Sequence, residues 1–220
     1  MSIEANIKEV EKRIGRACEK AGRSPDEVTL VAVTKTFPPS AIEAAFRAGL
    51  RNFGENRVQE AKAKLPELDL NPRPTWHMVG HLQTNKAKEA LRLFDIIHSV
   101  DSIRLAQELS RKAEGKIPIL LEVNISAEGS KYGFSEEELS QAIEQISPLP
   151  NLELRGLMTM APIAADPEEV RPFFRKLRQL RDSLGLAHLS MGMTDDFEVA
   201  IEEGATIVRI GRAIFGERKE

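Results

Sequence analysis

Two hydrophobic periods trade places along this chain. Ile3, Ile7, Val10, Ile14 and Ala17 fall at helical spacing, and Gly22 ends the helix they predict. After the turn Ser24-Pro25-Asp26-Glu27 the period changes. Leu30 to Val33 is an unbroken run of small or branched apolar residues, as in a strand covered on both faces. Pro38 and Pro39 must stop that strand, because neither can donate to a ladder. Ser40, with Glu43 three residues on, predicts a capping box for a helix that closes at Gly49. The exchange then recurs. Strands are predicted over Leu50 to Phe53, Trp76 to Gly80, Asp95 to Val100, Ile117 to Ile125, Leu152 to Met160, His188 to Gly192 and Thr206 to Ile210. Between them, helices are predicted from Arg57 to Leu65, Thr84 to Phe94 and Ser102 to Ala113. Others run from Ser135 to Ile146, from Asp166 to Leu184 and, capped by Thr194 or Asp195, to Glu203. Strict alternation of this kind implies a parallel sheet with helical crossovers. Eight such units predict one domain over residues 1–220: a single α/β domain, a (β/α)8 TIM barrel with an extra N-terminal helix. A doubly wound open sheet is the alternative, although no glycine-rich dinucleotide fingerprint follows the first strand.

Composition narrows the partners more than the fold. The 220 residues are 41% hydrophobic and 30% charged, with a formal net charge of -3. A chain of this size can bury a substantial core, and without a basic field neither nucleic acid nor a membrane surface is an expected partner. Cys18 is the single cysteine, so no intramolecular disulfide can form. No apolar stretch approaches the ~20 residues of a bilayer span. The N-terminus lacks a signal-peptide apolar region, so the expected location is cytoplasmic.

In a barrel the chemistry lies at the C-terminal ends of the strands, and Lys35 sits at such an end. Period two puts it on one side with Val31 and Val33. A lysine partly desolvated there is a nucleophile towards carbonyls, although a strand-end lysine that simply reaches solvent is the plainer alternative. The last two strands end in Ser190-Met191-Gly192 and Arg209-Ile210-Gly211. Their small residues let backbone N–H groups approach an anion, where barrels commonly hold phosphate. Arg209 alternates with Ile207 and Gly211 and needs a partner, either a glutamate or a ligand. Lysine, anion cradle and inward arginine together point to an aldehyde with a phosphate and an aromatic nitrogen. That description fits pyridoxal phosphate held as a Schiff base on Lys35. An aldolase-type lysine acting on a sugar phosphate is the cofactor-free alternative. His77 and His81 have metal-like spacing but lie roughly 13 Å apart on a strand, so no metal site is expected. Trp76 and Cys18 read as packing residues. Met158 and Met191 also suit core filling, with Met158 kept as a candidate cofactor contact.

These segments resemble the pyridoxal phosphate homeostasis family. The resemblance runs through residues 31–35, Phe53-Gly54-Glu55-Asn56-Arg57-Val58-Gln59-Glu60, Trp76-His77-Met78-Val79-Gly80-His81-Leu82-Gln83-Thr84-Asn85-Lys86 and Val123-Asn124-Ile125-Ser126. It continues through Lys131-Tyr132-Gly133-Phe134, residues 155–160, Leu189-Ser190-Met191-Gly192-Met193 and residues 208–216. Two positions depart from many relatives, Arg57 in place of an aromatic and Thr194 in place of serine. The resemblance implies a barrel similar to the N-terminal domain of alanine racemase. Lys35 is then the Schiff-base lysine and Asn56 lies near the cofactor. Ser190, Gly211 and Arg212 form the phosphate cradle, the last two mainly through backbone N–H, with Gly192 kept beside them as a candidate cofactor contact, and Arg209 faces the pyridine nitrogen. The expected function is a carrier that binds and releases pyridoxal phosphate, buffers it and hands it to apo-enzymes, with little or no catalysis, and a monomer is expected because no further domain is. An arginine leaves the ring nitrogen unprotonated, a poor electron sink. A minimal amino-acid racemase is the alternative, but it needs a second acid/base opposite the lysine. The racemases draw theirs from an extra domain and a partner subunit, and no room for such a domain is expected after the eighth strand.

Overall fold

The computed structural model describes residues 2–126 and 132–217. A first helix, α1 (Ile3–Lys20), precedes eight βα units. These are β1 (Thr29–Val33) with α2 (Pro39–Arg47), β2 (Asn52–Glu55) with α3 (Val58–Lys64), β3 (Thr75–Met78) with α4 (Ala87–Leu93) and β4 (Ile96–Val100) with α5 (Ile103–Lys112). The second half holds β5 (Ile117–Glu122) with α6 (Glu136–Ile146), β6 (Leu152–Met158) with α7 (Arg171–Ser183), β7 (His188–Ser190) with α8 (Phe197–Glu202) and β8 (Ile207–Ile210) with α9 (Arg212–Phe215). The strands pair in sequence order, all parallel, and β8 returns to β1 to close the barrel. The open-sheet alternative is thereby excluded. Among the described residues no helix is long and apolar enough to cross a membrane.

Register decides which side chains enter the barrel, because partners on parallel strands point to the same face. Val31 pairs with Arg209, Gly54 with His77, Met158 with both Glu122 and Ser190, and Ser190 with Ile207. These are the inward positions. Val31, Leu120, Met158 and Ile207 form a small apolar cluster there. A far larger cluster, including Phe53, Phe174 and Phe197, lies between barrel and helices. Each such fully buried side chain contributes about 1.5–3 kcal/mol relative to exposure. The N-terminal helix buries Ile7, Val10, Ile14, Ala17 and Cys18 and packs on α2, α8 and α9. Asn6 Nδ2 donates to the Ile214 carbonyl (2.8 Å), and Arg13 pairs with Glu198 (2.7 Å). This helix therefore fastens the start of the chain to the β8 end.

Several boundaries differ from the sequence reading for local reasons. The helix after the first strand begins at Pro39 with Pro38 as its N-cap and no side-chain cap. Ser40 is inside the helix, so the Ser40–Glu43 capping box does not form. Proline at the first helical position, with φ already helical, starts the helix one residue early. Neither Thr194 nor Asp195 caps α8, whose N-cap is Asp196. By contrast Ser24, Ser102 and Ser135 all accept from backbone N–H groups as caps, Ser24 and Ser135 in full capping boxes. The fifth strand ends at Glu122 rather than Ile125; Val123 still donates to the Met158 carbonyl (2.8 Å) but on its other side bridges Phe134. Residues 127–131, with Lys131 of the family-like segment among them, lie outside the described residues.

Candidate functional site

Lys35 is carried on a short loop that two other elements, β2 and α3, clamp. The first strand stops at Val33, two residues before the lysine. Thr34 N–H donates to the Gly54 carbonyl (2.9 Å) and Phe37 N–H to the Thr34 carbonyl (3.1 Å). Thr36 takes a left-handed φ of 68°, a strained conformation for a β-branched residue. Its N–H donates to the Glu60 carboxylate. Behind the loop, Lys64 is buried between barrel and α3. Its ammonium donates to the carbonyls of Thr34 (2.8 Å) and Phe37 (3.2 Å) on either side of Lys35. It also reaches Glu60 (2.8 Å) and Glu55 (2.6 Å). Glu55 is fully buried and accepts from the Thr34 hydroxyl at 2.6 Å. Burial pushes its carboxyl above the usual range, against the bonds from Lys64 and Thr34. Lys64 thus holds the loop that presents Lys35.

Inside the barrel a continuous chain of polar groups crosses from β2 to β8. Asn52 Oδ1 lies 3.1 Å from His77 Nε2, and His77 Nδ1 lies 2.9 Å from His98 Nε2. His98 Nδ1 is 2.8 Å from Ser190 Oγ. Arg209 Nη1 donates to the same oxygen (2.6 Å), and Nη2 donates to the Thr159 carbonyl (2.8 Å). Burial depresses both imidazoles, His77 to about 4 and His98 well below its ordinary value, so both rings are neutral near pH 7. Arg209 is lowered to about 10 by burial, opposed by Asp196 and Glu122, and keeps its charge. It makes no ion pair with a glutamate among the described residues; a hydroxyl and a carbonyl hold it instead. Three of its five N–H donors are left for another acceptor. On the strand opposite β1, Glu122 is buried, and burial together with Asp101 raises its carboxyl to about 7, against Arg209.

The remaining candidates divide between mouth and core. Gly192 has φ 91°, and a Cβ there would stand 2.6 Å from Ala200 Cβ and 2.9 Å from Phe197 Cα. Only glycine lets the β7 end turn this closely over α8. Gly211 is the N-cap of α9, with Arg212 its first residue. The Arg212 guanidinium is turned aside to Asp195. Asn56 is half-buried and borders a cleft of about 670 Å³ shared with Arg57, His81, Gln83 and Lys86. Met158 lies in the apolar floor with Val31, Leu120 and Ile207, and Trp76 packs on Phe53 with ring centroids 5.5 Å apart. The histidine pair is split. His77 is in the barrel, while His81 is at the rim, 2.9 Å from Asp101 and stacked on Tyr132. Among the described residues no His, Cys, Asp and Glu cluster is arranged to hold a metal.

Sequence reasoning overlooked Asn52, His98, Glu55, Glu60, Lys64 and Glu122. A signal existed for His98, which follows Ile96 at strand period inside an apolar run, and for Glu122, which ends one. Both are polar residues where a buried strand predicts none.

The family model of the alanine racemase N-terminal domain matches residues 2–219. A relative from Aquifex aeolicus, named Pyridoxal phosphate homeostasis protein, is 48% identical over 97% of each chain. One of the same name from Pseudomonas aeruginosa is 45% identical over 99% of this chain and 96% of its own. Among solved structures, PipY of Synechococcus elongatus with PLP bound superposes with a TM-score of 0.80 at 39% identity, covering 93% of this chain and all of that one. With a barrel of this topology, this site at its mouth and similarity along its whole length, the chain belongs to the pyridoxal phosphate homeostasis proteins within the alanine racemase N-terminal domain family.

Proposed function

We propose that this chain, as one unit over residues 1–220, binds pyridoxal 5'-phosphate reversibly, buffers it and releases it to apo-enzymes without appreciable turnover of its own. The observation that carries this reading is the arrangement at one barrel mouth. A lysine on a clamped loop stands beside a strand whose buried arginine is held by a hydroxyl and a carbonyl rather than by a carboxylate. The aldehyde of the cofactor condenses reversibly with a primary amine, and Lys35 supplies that amine. The residues fit the rest of the molecule. Arg209 has N–H groups to spare for a ring nitrogen, and Gly192 and Gly211 bring backbone close to where a phosphate would sit. Arg212 contributes through its backbone, since its side chain is engaged by Asp195. Asn56 borders the same mouth, and Met158 closes its floor.

The carrier reading over the racemase rests on Arg209. A guanidinium that keeps its proton can only donate, so it does not protonate the ring nitrogen and gives little help to carbanion chemistry. The protein mixed with pyridoxal phosphate should develop a visible absorption band that borohydride fixes covalently, and Lys35→Ala should abolish both. A band that survives in Lys35→Ala, or no band in the parent, would refute the binding site. Conversion of single L-amino acids to D-isomers at about 1 per second or faster would establish an enzyme instead.

A further inference from the structure

Ser190 is fully buried, and its hydroxyl is already committed. The oxygen must accept from Arg209 Nη1, because a guanidinium can only donate. The one hydroxyl proton is what the rest of the chain of polar groups decides. With the Asn52 amide oxygen turned to His77, the orientation that the 3.1 Å contact takes here, His77 carries its proton on Nε2. A neutral His77 then offers a bare Nδ1, and His98 must donate to it from Nε2. His98 in turn offers a bare Nδ1, which takes the proton of Ser190. Donation therefore runs one way, Arg209 to Ser190 to His98 to His77 to Asn52. In this polarity Ser190 has no proton left for an anion.

The geometry points to a tautomer relay: anion binding beside Ser190 reverses the direction of donation through His98 and His77, and rotation of the Asn52 amide terminates the reversed chain. This rests on the reading above that the mouth holds a phosphorylated ligand. In the reversed state the Asn52 amide donates to His77 Nε2, His77 Nδ1–H to His98 Nε2 and His98 Nδ1–H to Ser190 Oγ. The Ser190 hydroxyl is then free to donate outward. The protons balance. Ser190 passes its proton to His98 Nδ1, and the His98 Nε2 proton passes to His77 Nδ1. The His77 Nε2 proton leaves to water past Asn52, which is only half-buried, and water re-protonates Ser190. No net proton is gained. His98 and His77 are thus positioning residues for the phosphate. They make the serine a donor only when an acceptor is present, and their neutrality allows either direction.

The test uses nitrogen-15 histidine labelling of the whole chain, with two-bond proton–nitrogen spectra that separate bare from protonated ring nitrogens. The chain has 4 histidines, so the two relay rings are tractable. Adding pyridoxal 5'-phosphate should move both rings from the Nε2–H to the Nδ1–H form. Pyridoxal, which has the aldehyde and no phosphate, should give the visible band without that change. Inorganic phosphate at saturation should give the change without the band. In Ser190→Ala, pyridoxal 5'-phosphate should still give the band, with affinity lowered roughly tenfold and both rings unmoved, a loss equivalent to about 1.4 kcal/mol. A visible band with unchanged tautomers in the parent protein overturns the relay and leaves the binding reading intact. Inversion in Ser190→Ala also overturns it, since the signal would then bypass the serine. Absence of any band refutes the binding reading, and the relay with it.

Discussion

Thr36 is the residue whose backbone is hardest to explain without Lys35. Its φ of 68° is the one positive value at a non-glycine position among the described residues. For an L-residue this region costs roughly 1–2 kcal/mol, and the Glu60 carboxylate on its N–H offsets part of that. The loop is therefore held in a shape that the chain would not choose locally, next to the amine proposed to take the aldehyde. Glycine adopts this conformation freely but loses more entropy on folding. Thr36→Gly should therefore stabilise the fold by about 0.5–1 kcal/mol in urea unfolding. The same substitution should weaken retention of pyridoxal phosphate several-fold, because the amine is no longer aimed. A destabilised variant with unchanged retention would show that the Thr36 side chain, not its backbone, is what the loop needs.

At the scale of elements, the β1–α2 loop is stitched to β2 and α3 by one buried cation. Lys64 serves two carboxylates and two carbonyls. Removing it as Lys64→Met would strand Glu55, which is fully buried, at a cost of about 3–5 kcal/mol. The double variant Glu55→Gln with Lys64→Met should recover most of that loss, and thermal or urea melts of the parent, both single variants and the double variant would read the coupling. Additive losses would mean that the two groups do not share one interaction. None of this was legible in the sequence. Lys64 sits in a run of lysines and glutamates that reads as a solvated helix face, and only its tertiary contacts with the β1–α2 loop and Glu55 show it turned inward. The strands themselves were legible, because runs such as 30–33 and 117–121 are apolar on both faces. Lys35 and Arg209 were legible too, as charges interrupting such runs. The Ser40 cap was misplaced because proline geometry outranks a capping hydroxyl at the start of α2. The polar chain through His98 was invisible for a different reason. Its links join β4 to β7, and nothing but closure of the barrel sets them side by side.

Across the whole molecule, the barrel interior is a place where acids resist ionising and histidines resist protonation, and the two act oppositely on stability. The Glu122 carboxyl is raised from 4.5 to about 7. Between those values the folded state holds a proton that the unfolded chain has released. Stability falls as pH rises through that window, by about 3 kcal/mol in all. His77 is lowered from 6.5 to about 4. Between those values the unfolded chain holds the extra proton, so stability rises with pH by a similar amount, and His98 acts in the same direction. From pH 4.5 to 6.5 the Glu122 slope cancels that of one histidine, and the parent protein should rise there with the slope of the other alone. Glu122→Gln removes the falling limb alone. The variant should match the parent near pH 4.5 and exceed it by about 3 kcal/mol at pH 8, with a visibly steeper rise between. Urea unfolding at a series of pH values measures this directly. Equal stabilities of the two proteins at pH 8 would mean that Glu122 is ionised at no cost. The carboxyl across the barrel from Lys35 would then be solvated rather than held in a dry interior.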